Sequence, residues 1–310
     1  MINFRYHVVS LVAVLFSLGA GLVLGSGLLS SGTGTAAAVQ VVDLQAEAAL
    51  LRERVAAAED TLGFSEEVGA SLQPALVAGT LDGRDVVVVA FPGADEQTLS
   101  ATREALSLAG ATVTGTVTVL DEWTEAGSAA VLDSLAAQRV TSGASLPDSD
   151  GYERGAVVLA AALLEPAEAV EADPEAIDTT PAAFAEAGLV SLGDGLRGTA
   201  DTAVIVAGGP VQDDDQAGRR LGALTSLAAA LDTAGSGAVL AGPPDSARDL
   251  GVVASVREDA EVAGKLSTVD MAQTSSGRTA AVLALAEQAA GGVGHYGGVG
   301  DVDAALPPVR

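Results

Sequence analysis

Cysteine is absent from the sequence, which excludes disulfides, thiolate metal sites and thiol nucleophiles. Basic charge is scarce. Fifteen Lys and Arg stand against 41 Asp and Glu, the formal net charge is −26, and Lys265 is the only lysine. Such a surface repels phosphate backbones, so nucleic acid is not an expected partner; its first effect is on solubility. Aromatic residues make up only 3% of a chain that is 49% hydrophobic. The core must therefore be built from Ala, Val and Leu, as in helices packed on a buried parallel sheet. Two His, His7 and His295, and two Met, Met1 and Met271, are the whole supply of soft or borderline metal ligands.

Charge is missing altogether from Tyr6 to Val42. The apolar heart of this gap, Val8 to Leu29, would span roughly 33 Å as a helix, enough for a bilayer core. Arg5 precedes it, while Asp43 and Glu47 follow. The positive-inside rule then places the N-terminus in the cytoplasm and the C-terminal bulk outside. Ala36-Ala37-Ala38 would suit signal-peptide cleavage but lies far beyond the apolar run. The expectation is a retained single-pass anchor over residues 1–35. Its Gly21 to Gly25 GxxxG would let two helices approach closely.

A heptad pattern follows. Val41, Leu44, Ala48, Leu51, Val55, Ala58 and Leu62 alternate at spacings of three and four, an a/d seam over three heptads. With Val41 at a, Glu47 and Arg54 take g, and Arg52 and Glu59 take e. A parallel homodimer would pair Glu47 with Arg52 of the partner subunit and Arg54 with Glu59 of the partner subunit, both attractively. This predicts a coiled-coil stalk over 36–63, with Gly63 as its stop. The alternative is an amphipathic helix lying on its own domain, which Leu50 and Val42, off the seam, favour.

Residues 64–310 read as an extracytoplasmic α/β domain, a Rossmann-like, doubly wound, mostly parallel sheet. Arg84 to Phe91, Thr112 to Leu120, Thr202 to Ala207 and Ala238 to Ala241 read as strands, with Val252 to Val256 and Leu266 to Val269 as further ones. Helices are expected to Ala109, over Ala129 to Val140, Gly155 to Leu164, Asp214 to Ala234 and Gly277 to Ala290. Thr141 to Gly151 reads as a polar loop, Glu165 to Pro181 as an exposed acidic excursion before a short helix at Ala182 to Ala187, and the tail from Gly291 as irregular.

This pattern excludes more chemistry than it suggests. Nucleotide binding would need Gly-rich loops, yet the strand–helix junctions carry Asp95 and Glu96, Asp213 to Asp215, and Asp245, where carboxylates cap helices and repel phosphate. Gly292 to Gly297 matches GxGxxG by letters but follows a helix and precedes a tail. No GxSxG elbow occurs, and His295 is the only histidine beyond the anchor. No enzyme is expected. Trp123, the only Trp, reads as a half-buried packing residue. Met271 and His295 are weak candidate copper ligands that one chain cannot complete into a site. A carboxylate pair acting on envelope polymers stays open but unassigned.

Two stretches carry a family resemblance. Met1 to Ser26 resembles the N-terminus of the actinobacterial MctB family, labelled copper transporter proteins. Ser267 to Asp270, Gly277-Arg278, Ala284 to Ala286 and Gly294 to Gly297 resemble that family's C-terminal block. The resemblance covers essentially the whole chain. It implies copper efflux or homeostasis at the cell envelope, where the family has been described as channel-forming in the outer membrane. The chain is also similar to envelope proteins implicated in cell separation through partner proteins. The resemblance supplies no ligand motif, so copper enters as an implied ion and no cofactor is expected from the residues. They favour a membrane-anchored homodimer with an interaction domain, and a single span does not build a pore.

Overall fold

The computed structural model describes residues 12–19, 34–140, 146–165, 174–193 and 195–308. The chain forms two compact units, residues 1–65 and 66–310. Residues 12–19 are helical (α1). The rest of the Val8 to Leu29 run lies outside the described residues. Among the described residues, no helix is long and apolar enough to cross a membrane.

Helix α2 runs over Gly34–Val77 without a break. The stop expected at Gly63 does not occur. A glycine inside a helix costs only about 1 kcal/mol, too little by itself to end one. Pro74 also lies inside the helix; it gives up its own N–H, while its carbonyl still accepts from the Ala78 N–H at 3.1 Å. The left-handed cap comes at Gly79 (φ 74°). Burial of Val77 and Leu81 holds this last stretch against the domain.

The domain is built on one seven-stranded sheet. Its strands are β1 (Asp85–Ala90), β2 (Thr112–Val119), β3 (Val190–Leu192), β4 (Thr202–Val206), β5 (Ala238–Ala241), β6 (Ser267–Val269) and β7 (His295–Tyr296), in the order β3-β2-β1-β4-β5-β6-β7. Every pairing is parallel except β2 with β3. The unbroken valine run of β1 is buried on both faces, which is why it shows no alternation in sequence. Val87, Val89, Val117 and Ile205 point into one core, with α4 (Ser128–Arg139), α5 (Gly151–Leu163), α7 (Ala217–Ala234) and α8 (Val252–Glu258). Val86, Val88, Val204 and Val206 point into the other, with α3 (Glu96–Leu108), α10 (Ser275–Ala289) and the end of α2. Helices on both faces make the arrangement doubly wound.

Several expectations are corrected. Val252 to Val256 is helix, not strand: Val252, Val253 and Val256 are buried at i, i+1 and i+4, the spacing of one helical face. Helix α5 starts at Gly151, because Asp150 accepts from the amides of Tyr152 (2.9 Å) and Glu153 (3.0 Å). The excursion expected up to Pro181 is helical from Pro174, within α6 (Pro174–Glu186), whose buried Phe184 stacks on Trp123 at 5.8 Å. Trp123 is fully buried rather than half-buried. The tail is not wholly irregular, since His295–Tyr296 adds a parallel strand to β6. Short α9 (Ala260–Ala263) and antiparallel β3 complete the elements.

Candidate functional site

Strand order reverses at β1: the chain adds β2 and β3 on one side of it and β4 to β7 on the other. In such sheets the crevice beyond the strand ends at this point is the usual ligand site. Here a cavity of about 390 Å³ opens there. Pro92, Pro210 and Val211 give it apolar surface beside the buried Phe91, Leu224 and Val252, Gly93, Gly208 and Gly209 give main-chain surface, and Asp121, Thr124, Glu125 and Arg220 supply polar groups. The two loops meet at glycine: a Cβ on Gly208 would lie 2.3 Å from the Pro92 carbonyl oxygen.

The acidic residues at the junctions do act locally. Asp95 accepts from the Thr98 amide at 2.8 Å and caps α3. Asp214 accepts from the Gln216 amide at 2.9 Å and from Arg220 at 2.7 Å, and the hydrogen bond from Arg220 holds its carboxyl below the usual range. Asp245 pairs with Arg248 at 3.6 Å. The turn carrying Asp121, Trp123 and Glu125 is fastened from behind. The Thr124 hydroxyl donates to the Asp121 carbonyl at 2.9 Å, and the Tyr152 hydroxyl donates to the Glu125 carbonyl at 2.6 Å.

A second cluster sits at the other end of the sheet, and sequence reading missed it. Asp270, fully buried after β6, accepts from both terminal nitrogens of Arg257 at 3.2 Å, from the Gly298 amide at 2.7 Å and from the Val299 amide at 3.2 Å. Arg257 also donates to the Tyr296 carbonyl at 3.1 Å and the Val299 carbonyl at 2.8 Å. Burial lowers the Arg257 pKa, with Asp270 opposing that shift. The clue in sequence was one arginine closing an otherwise apolar helical face, and an acid directly after a strand. Ser267 to Asp270 and Gly294 to Gly297, two of the stretches that carry the resemblance, meet here. Gly297 (φ 133°) is required, because a Cβ would lie 2.2 Å from the Asp270 carboxylate. The letter match to GxGxxG thus reflects close packing.

His295 belongs to this cluster. Its Nδ1 lies 2.9 Å from the Thr268 hydroxyl, which itself accepts from Arg257 Nε at 2.8 Å. Burial pushes its pKa down, and the nearby Arg257 charge adds to this. Nδ1 is thereby engaged within the fold. Met271 has φ 69°, and its carbonyl accepts from the Thr274 amide at 2.9 Å. Among the described residues, no group of three or more His, Asp or Glu is placed to hold a metal ion. His7 lies outside the described residues.

The seam residues lie on α2. Leu44, Leu51, Val55 and Leu62 are 60%, 52%, 56% and 65% exposed. Ala48 is half-buried and Ala58 exposed, as are Glu47, Arg52, Arg54 and Glu59; of Val41, the structure gives the helical backbone. Within the domain, Glu66 accepts from the Ser275 amide at 2.9 Å and from Arg278 at 3.3 Å, at the start of α10. Gln73 donates to the Ser275 carbonyl at 3.1 Å and the Thr279 hydroxyl at 3.2 Å.

Residues 1–307 match the family described as "Copper transport outer membrane protein, MctB". The chain is 34% identical over 304 residues to a protein named copper transporter MctB from Mycobacterium tuberculosis (strain ATCC 25618 / H37Rv), covering 96% of each. It is 31% identical over 307 residues to the protein of that name from Mycobacterium leprae (strain TN), again over 96% of each.

Proposed function

The chain belongs to the MctB family, and from that premise we propose that it acts in copper homeostasis at the cell envelope without itself forming a pore. In this reading a single-pass anchor keeps the N-terminus in the cytoplasm and the domain outside, and α2 pairs two copies in parallel. The observation that carries the copper assignment is the match over residues 1–307. The non-pore reading is supported by the sheet, which is open and carries helices on both faces. Copper is cargo here, handled through other envelope components. The test is deletion of the gene, with cell-associated copper measured by elemental analysis. Copper should rise in the deletion and return to normal on complementation. Unchanged copper would remove the assignment.

A second reading is a dimeric scaffold that recruits a partner protein in envelope assembly or cell separation. It is favoured by the exposed apolar stripe of α2 and the open crevice at the sheet edge. Cross-linking in living cells from α2 and from the domain should trap a defined partner; self-dimers alone would count against it.

A further inference from the structure

We infer that the crevice between β1 and β4 receives a basic side chain carried on an extended peptide segment of a partner protein. This rests on the scaffold reading and gives the partner a chemistry. The cavity, about 390 Å³, falls in the range of ligand sites. Its charge is unbalanced. Arg220 is held by Asp214 at 2.7 Å and is largely buried, so its charge is already matched. Asp121 and Glu125 remain exposed at the rim. Phosphate or carboxylate would be repelled, and a cation drawn in.

The apolar surface specifies what kind of cation. Pro92, Pro210 and Val211, the partly or fully exposed apolar residues of the lining, suit the methylene stem of Lys or Arg, with the charged end reaching the rim carboxylates. A bare inorganic ion would leave that surface uncovered. Gly93, Gly208 and Gly209 leave main chain bare in the lining, and a Cβ on Gly209 would meet nothing within 4 Å, so the backbone there is open to another backbone. The turn that carries the carboxylates is also preorganised. It is anchored by the buried Trp123, by Tyr152 on the Glu125 carbonyl and by Thr124 on the Asp121 carbonyl, so its main chain needs little ordering on binding.

The test uses the full chain in detergent. Acetyl-Gly-Leu-Lys-Gly-amide and its Glu counterpart are titrated by calorimetry and by the fluorescence of Trp123, the only tryptophan. The Lys peptide should bind saturably and at least tenfold more tightly than the Glu peptide. Asp121→Asn with Glu125→Gln should weaken it at least tenfold. Glu104→Gln with Glu186→Gln, an equal charge change away from the crevice, should not. Absence of saturable binding, equal affinity for both peptides, or equal loss in the two double variants would each overturn the assignment. If Asp121→Asn with Glu125→Gln traps a partner in cells at wild-type yield, the crevice assignment falls and the scaffold reading stands. Intact peptide binding with no partner trapped keeps the crevice and removes the scaffold.

Discussion

The two halves of α2 behave differently. From Leu44 to Leu62 its heptad seam carries exposed Leu and Val. Beyond Leu62 the register shifts to Glu66, Gly69, Gln73 and Leu76, and there the helix packs on the domain. The exposed half is apolar, while the packed half uses a carboxylate, a glycine and a carboxamide. This inverts the usual order. Hydrogen bonds with Ser275, Thr279 and Arg278 fix one register between α2 and α10, which apolar contact alone would leave free to slide. The exposed half lacks that specification, and its apolar residues gain most when a second chain covers them.

Leu51→Asp with Val55→Asp should break the comparison most severely. Self-association of the full chain, measured by sedimentation in detergent, should weaken at least a hundredfold, about 2.7 kcal/mol, with the domain's unfolding midpoint unchanged. Gly69→Val is the converse. Its Cβ would lie 2.4 Å from Ser275 Oγ, so domain stability in denaturant should fall by about 1–3 kcal/mol while self-association holds. Glu47→Arg should weaken pairing by only a few-fold, about 0.2–1 kcal/mol per exposed pair, and adding Arg52→Glu should restore it; high salt should erase both effects. The smallest effect should come from pH and spare both halves of the helix. His295 faces Arg257, Asp303 and Thr268, and its pKa is lowered from 6.5. Above pH 6.5 both folded and unfolded chains carry it neutral, so its contribution is complete. Below that the unfolded chain takes up the proton first, and stability falls slightly until the folded value is passed. Denaturation midpoints at pH 7.5 and 5.5 should show this fall in the wild type, and His295→Asn should remove it.

The strands that sequence revealed were those buried on both faces: the Val86 to Val89 run could be little else. What it hid depended on distant partners. The strand at His295–Tyr296 is two residues long and exists because Arg257 and Asp270, far apart in sequence from it, hold its backbone. Val252 to Val256 misled because β-branched composition outweighed its i, i+1, i+4 spacing. Gly63 looked like a terminus because glycine punctuates helices, yet nothing there supplied a cap. The crevice was half legible. Asp95 capped its helix as its position implied, Asp214 instead bonds the Gln216 amide ahead of α7, whose N-cap is Gln216, and Asp121 and Glu125 faced a cavity that only the fold assembles.

The margins of the sheet have a consequence for solubility in the crowded envelope. One margin is the three-residue antiparallel β3 and the other the two-residue β7, which Ala304 partly shields through its bridge to Tyr296. Neither offers a long row of unpaired amides on which a foreign strand could grow. Together with a net charge of −26, this leaves the protein poorly suited to ordered aggregation even at high local density. Under the pairing proposed for α2, association between copies would then fall to the helix, where it can be finite.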